Sequence, residues 1–170
     1  IWTGIDYLGE PTPYYSYWPS RSSYFGAVDL AGLPKDRFYL YRSVWNEKQP
    51  TLHLLPHWTW PGREGQVTPV YCYTSYPEAE LFVNGQSQGR IKKDKASRLD
   101  RYRLRWNDVV YQPGELKVVA YDANGKPAAQ QVVRTAGEPH HLVVQADKSS
   151  LAADGQDLLY LTVSMVDKDG

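Results

Sequence analysis

Cysteine and methionine are almost missing from this chain, and net charge is missing altogether. One cysteine in 170 residues, Cys72, excludes a disulfide within the sequence and any cysteine-based metal centre. Lys and Arg together number 19, as do Asp and Glu, so no bulk field draws in a phosphate backbone. The basic run Arg90-Ile91-Lys92-Lys93-Asp94-Lys95 is interrupted by a carboxylate and reads as a solvated hairpin or loop; no nucleic-acid partner is expected. No stretch nears the roughly 20 apolar residues of a membrane helix, so no membrane span is expected either. The first residue is Ile1, the lone methionine is Met165, and the sequence closes on a turn at residues 166–170. The chain is therefore expected to be a slice of a longer protein, with any signal peptide upstream.

Aromatic residues are abundant, although Phe contributes only 3 beside 6 Trp and 14 Tyr. Five of the tryptophans (Trp2, Trp18, Trp45, Trp58 and Trp60) precede residue 61, which points to two regions with different tasks. Tyr and Trp join a large apolar body to a polar tip, so they suit wet, concave sugar sites as well as ordinary packing.

Periodicity divides the chain in three. In residues 1–46, a short apolar strand over Trp2–Tyr7 leads into a Pro-, Tyr- and Ser-dense loop from Gly9 to Ser23. Such a loop suits binding. A helix is predicted with Pro34 in its first position. It places Phe38, Tyr41 and Trp45 on one face and lets Arg37 and Arg42 face solvent. About 46 residues cannot bury a core alone, so this is the last unit of something larger.

Residues 47–136 change to a β pattern. Strands are predicted at Leu52–Leu55, Val67–Tyr76, Glu80–Val83, Arg101–Trp106 and Glu115–Tyr121, with Asn84-Gly85 and Asn124-Gly125 as hairpin turns. The return strands run toward Ile91 and Val133. In Arg101–Trp106, alternation gives Tyr102, Leu104 and Trp106 a common face. Cys72 is expected to point into a core. Short strands at this spacing indicate an immunoglobulin-like β-sandwich. After a linker at 135–139, residues 137–170 carry two strands, His141–Ala146 and Leu158–Val166, read as the start of a second, truncated sandwich. The fold class is thus mainly β.

No complete catalytic set is present. Asp6 and Glu10 are two carboxyls near a strand end, and a retaining glycosidase needs such a pair about 5.5 Å apart; local loop hydrogen bonding is the other reading. His53 and His57 are four apart, but Pro56 breaks the segment, and no calcium-loop pattern occurs. Neither a metal nor a cofactor is expected.

Trp2-Thr3-Gly4-Ile5-Asp6-Tyr7-Leu8-Gly9-Glu10-Pro11 resembles the eighth barrel strand of glycoside hydrolase family 2 enzymes, the β-galactosidase group. The run from Ser22 to Asp36 resembles the last barrel loop and helix of the same enzymes. Glu80–Gly89, Tyr111–Tyr121 and Thr135-Ala136-Gly137 are similar to the β-domain that follows, and Leu151–Asp157 to the entry of a further immunoglobulin-like domain. The resemblance implies that residues 1–46 are the tail of a catalytic (β/α)8 barrel, 47–136 an accessory sandwich packed on it, and 137–170 the first strands of another domain. It implies a retaining exo-glycosidase acting on a carbohydrate substrate, most often a β-galactoside, through the parent barrel. The resemblance also implies a secreted or periplasmic location. The acid/base and nucleophile glutamates would lie upstream of Ile1, leaving no catalytic residue in the fragment. Trp2 corresponds to the tryptophan that lines the sugar pocket, where barrel sites gather; barrel-core packing is its other reading. Phe25 is a second candidate substrate-binding aromatic. As alternatives, residues 47–136 form a carbohydrate-binding module with Trp58, Trp60 and the neighbouring tyrosines as the sugar platform, or a structural spacer.

Overall fold

The computed structural model describes residues 3–9 and 21–170. Trp2, Glu10 and most of the Pro- and Tyr-rich loop lie outside the described residues. Two compact units divide the chain, Ile1–Arg134 and Thr135–Gly170, and each is described by itself.

Among its described residues, the first unit contains one helix, α1 (Asp36–Trp45), and strands β1 (Leu52–Leu55), β2 (Val70–Thr74), β3 (Glu78–Val83), β4 (Gln86–Lys92), β5 (Leu104–Trp106), β6 (Glu115–Tyr121) and β7 (Pro127–Arg134). The strands make two antiparallel sheets, β1-β2-β5 and β4-β3-β6-β7. Period-2 alternation puts Ala79, Leu81 and Val83 of β3 and Leu116, Val118 and Ala120 of β6 into the core. Val70 and Cys72 of β2 with Leu104 and Trp106 of β5 supply the other sheet's share. Burial pushes the Cys72 thiol up to about 12, so it behaves as a small apolar side chain.

Turn chemistry fixes the register. Asn84 (φ 49°) and Gly85 (φ 81°) both occupy the left-handed region, as a two-residue hairpin turn requires. Asn84 Oδ1 also accepts from the Glu115 amide at 2.8 Å, and its Nδ2 donates to the Pro113 carbonyl at 3.0 Å. One turn residue thereby ties the β3–β4 hairpin to the start of β6.

Four expectations need correction. The helix begins at Asp36, not Pro34, because Pro34 is bridged to Val28 and Lys35 is held extended with its amide bonded to the Ala27 carbonyl. Arg42 does not simply face solvent: its Nε donates to Thr51 Oγ1 at 2.9 Å and its guanidinium lies 5.2 Å from the Tyr39 ring centre. Residues 101–103 are not strand, since Arg105 grips Asp100 with Nε at 2.5 Å and Nη2 at 2.9 Å and folds the preceding chain into turns. Tyr102 is consequently exposed. Among described residues 3–7, only Ile5 makes a bridge, to Val28, so no ladder accumulates there.

The second unit is one antiparallel pair, β8 (His141–Ala146) with β9 (Leu161–Val166). Residues 158–160 of the predicted strand stay outside it.

Candidate functional site

The segments 3–9 and 21–35 are knitted together by backbone bonds. Asp6 N–H donates to the Val28 carbonyl at 2.9 Å, Ser23 N–H to Tyr7 at 2.9 Å, and Ala27 and Val28 N–H both to Gly4 at 3.0 Å. At the centre is a buried carboxylate, Asp6. Its Oδ1 accepts from the Gly26 amide at 2.8 Å and from Ser23 Oγ at 3.2 Å. Its Oδ2 accepts from Lys35 Nζ at 2.5 Å, and that ammonium also donates to the Tyr24 carbonyl at 3.2 Å.

Electrostatics follow from this geometry. The Lys35 ammonium, reinforced by the Gly26 amide and the Ser23 hydroxyl, holds the Asp6 carboxyl below the usual carboxylate range despite the opposing pull of burial. Such a group stays ionised and cannot donate a proton near neutrality. With both oxygens engaged and the carboxylate buried, Asp6 takes the loop hydrogen-bonding reading, and Glu10 lies outside the described residues. Gly26 has its own reason: a Cβ there would stand 2.4 Å from the Asp6 amide nitrogen, a distance no side chain tolerates.

Phe25 lies between these anchored residues. Its ring is half-buried and meets Tyr7 edge-on, with centroids 5.9 Å apart. Trp2, the other sequence-derived site residue, lies outside the described residues. Tyr7 was not singled out by sequence, nor was the Asp6–Lys35 pair. Two signals pointed that way: an acidic residue inside an apolar run, and a lysine at a helix N-cap, where Ser, Thr, Asp or Asn is preferred.

The remaining candidates have separate structural duties. His53 Nε2 is 2.7 Å from Asp36 Oδ1, and its ring stacks on Tyr39 with centroids 3.9 Å apart. His57 instead stacks on Trp60 at 4.1 Å. Among the described residues, no three His, Cys, Asp or Glu side chains gather as metal ligands would. The basic run is engaged internally: Arg90 and Lys92 pair with buried Glu78, and Lys93 Nζ donates to the Thr74 carbonyl at 2.5 Å.

Trp58 cannot be half of a sugar platform. It is 0% exposed, its Nε1 donates to the Gln112 carbonyl at 3.0 Å, and Tyr111 packs edge-on at 5.0 Å. A stacking platform needs an open ring face, and this face is filled by the core.

The family described as a domain of unknown function (DUF4982) matches residues 65–129. The β-galactosidase BoGH2A of Bacteroides ovatus is 50% identical over 100% of this chain and 19% of its own length. A putative β-glucuronidase of Formosa agariphila is 37% identical over 99% of this chain and 16% of its own. The crystal structure of a β-glycosidase from Bacteroides vulgatus superposes with a TM-score of 0.85 at 36% identity, covering 99% of this chain and 20% of that one. A glycosyl hydrolase family 2 member from Bacteroides cellulosilyticus gives the same TM-score, 0.85, at 28% identity, covering 100% of this chain and 25% of that one. Along its whole length the chain is similar to glycoside hydrolase family 2 enzymes. Its homologues and structural neighbours are enzymes of that family, and it spans about a fifth of the length of these curated relatives.

Proposed function

We propose that this chain is part of a retaining β-glycosidase that cleaves terminal β-linked sugars, with β-galactosides as substrates. The observation that carries this reading is the 50% identity across the whole chain to a protein named as a β-galactosidase. Residues 1–46 act as the tail of the catalytic barrel, 47–136 as the sandwich that buttresses it, and 137–170 as the first strands of a further domain. The reacting glutamates belong to the barrel outside this chain, so the chain alone is inactive.

Trp2 and Phe25 serve as walls of the sugar pocket. An aromatic face covers the C–H side of a pyranose and excludes water, which holds the ring in register with the reacting carboxyls. The support for packing against a barrel is the apolar surface that the first region presents, with Ile5, Leu8, Tyr24, Leu30, Leu33, Val44 and Trp45 exposed. Leaving such side chains in water forgoes about 1.5–3 kcal/mol each.

A β-glucuronide substrate is the second reading, favoured by relatives of 37%, 38% and 33% identity that are named as β-glucuronidases or putative ones. Turnover of an aryl β-galactoside and an aryl β-glucuronide by the full-length protein decides between them. The galactoside reading expects the first to be hydrolysed at least about 100-fold faster, on the scale by which unpaired polar groups discriminate substrates; the reverse preference overturns it. Trp2→Ala in that protein is expected to lower kcat/KM on the order of 100-fold. An unchanged kcat/KM with a depressed Tm would instead assign Trp2 to packing.

A further inference from the structure

We infer that Asp6 is a positioning residue: its carboxylate, tied to Lys35, sets where the ring of Phe25 stands. The inference rests on the reading of Phe25 as a pocket wall.

The argument is one of constraint. Phe25 has a single residue between it and Ser23, and its neighbours on both sides are bound to one ion pair. Ser23 Oγ and the Gly26 amide go to Asp6 Oδ1, while the Tyr24 carbonyl takes a bond from the same Lys35 ammonium that meets Asp6 Oδ2. The Tyr7 amide closes the set by donating to Ser23 Oγ at 3.1 Å. The backbone on either side of Phe25 is thus fixed by charge-assisted bonds, which are stronger and more directional than neutral ones. Tyr7, next to Asp6 in sequence, then meets the Phe25 ring edge-on. Asp6 itself is buried, so it acts through the loop and not on a substrate. Gly26 lets the loop descend onto the carboxylate, because any Cβ would also stand 2.8 Å from Asp6 Oδ1.

An asparagine at position 6 keeps the shape but presents a neutral amide to the ammonium. The loop then loses its charged anchor, and Phe25 shifts relative to the sugar. Misplacement near 1 Å costs about 100-fold in favourable cases.

The test is a double-variant cycle in the full-length enzyme, with an aryl β-galactoside as probe and Tm measured on each preparation. Asp6→Asn is expected to lower kcat/KM by about 10- to 100-fold, and the Asp6→Asn, Phe25→Ala double variant to lose no more than Phe25→Ala alone. Lys35→Met should reproduce the Asp6→Asn loss, and Lys35→Arg, which keeps the cation, should recover most of it. Multiplying losses in the double variant, or a fall in Tm with unchanged kcat/KM for Asp6→Asn, overturns the inference. A Phe25→Ala variant with unchanged kcat/KM has a different signature: it removes the pocket reading of Phe25, and the positioning role with it. If Asp6→Asn does not fold, the Lys35→Met and Lys35→Arg pair carries the same comparison.

Discussion

The β3–β6 ladder and the β8–β9 ladder are nearly the same object at the level of the backbone. Each pairs six residues with six in antiparallel register. Their side chains meet different fates: Leu116 of β6 is 0% exposed, whereas Leu142 of β8 is 60% exposed. The difference is the presence of a second sheet. In the first unit, β1-β2-β5 covers the inner face of β4-β3-β6-β7 with Trp58, Trp106 and Tyr111 filling the space. In the second unit, the two strands alone carry Leu142, Val144, Leu161, Val163 and Met165 exposed. Backbone hydrogen bonds exchange water for protein partners with small net gain, while apolar burial contributes about 25 cal/mol per Å². The ladder gives the arrangement, and the opposing sheet gives the stability.

The largest effect expected is at Trp58. Trp58→Ala removes a fully enclosed indole and its hydrogen bond to the Gln112 carbonyl, so chemical denaturation of the first unit should show a loss of about 3–5 kcal/mol. A loss below about 1 kcal/mol would mean that the loop 56–62 is not part of the core, and would weaken the contrast drawn between the units.

Leu116→Ala and Leu142→Ala then form a matched pair, the same truncation in two similar ladders. The first should cost about 2–5 kcal/mol and the second less than about 0.5 kcal/mol, as for an exposed position. Equal costs would show that the face of β8 is covered in solution. Hydrogen exchange sharpens the same point: β6 amides should exchange only through global opening, and β8 amides through local fraying of a two-stranded pair.

The smallest expected effect is a pH dependence at the Asp6 anchor. Its carboxyl lies below the ordinary range in the folded state, chiefly through Lys35. The ionised form therefore stabilises the fold above the unfolded pKa, and that contribution fades as pH falls through the folded value. Protection of the Gly26 amide should hold at neutral pH and decline only in acid below the ordinary carboxylate range. The decline should flatten in Asp6→Asn; an identical acid profile in both proteins would separate the anchor from Asp6 ionisation.

Much of the sandwich was legible because it follows local rules. Alternation in Glu115–Tyr121 is a direct consequence of the two-residue strand period, and Asn84-Gly85 supplies the left-handed conformations its hairpin needs. The strand predicted at 101–103 was not there, because the Arg105–Asp100 pair makes a turn more favourable than continued pairing. Trp58 stood as part of a sugar platform in one reading of the sequence, and only the folded core shows what encloses it. Of the proposed site, Phe25 was singled out in the sequence through its family resemblance. The anchor beneath it was not, since Lys35 meets Asp6 across 29 residues.

The sequence by itself determined a mainly β chain, the positions of its principal turns, the strands that became β3 and β6, and a resemblance to family 2 enzymes. These depend on periodicity, on left-handed turn residues and on identity along the chain. Tertiary structure alone decided that Asp6 is an anchor instead of an acid, that Arg42 binds Thr51 instead of water, and that Trp58 belongs to the core. Each of those outcomes depends on groups far apart in sequence. Long-range contacts choose the partner of a charge or a ring, and the partner determines what that side chain can do.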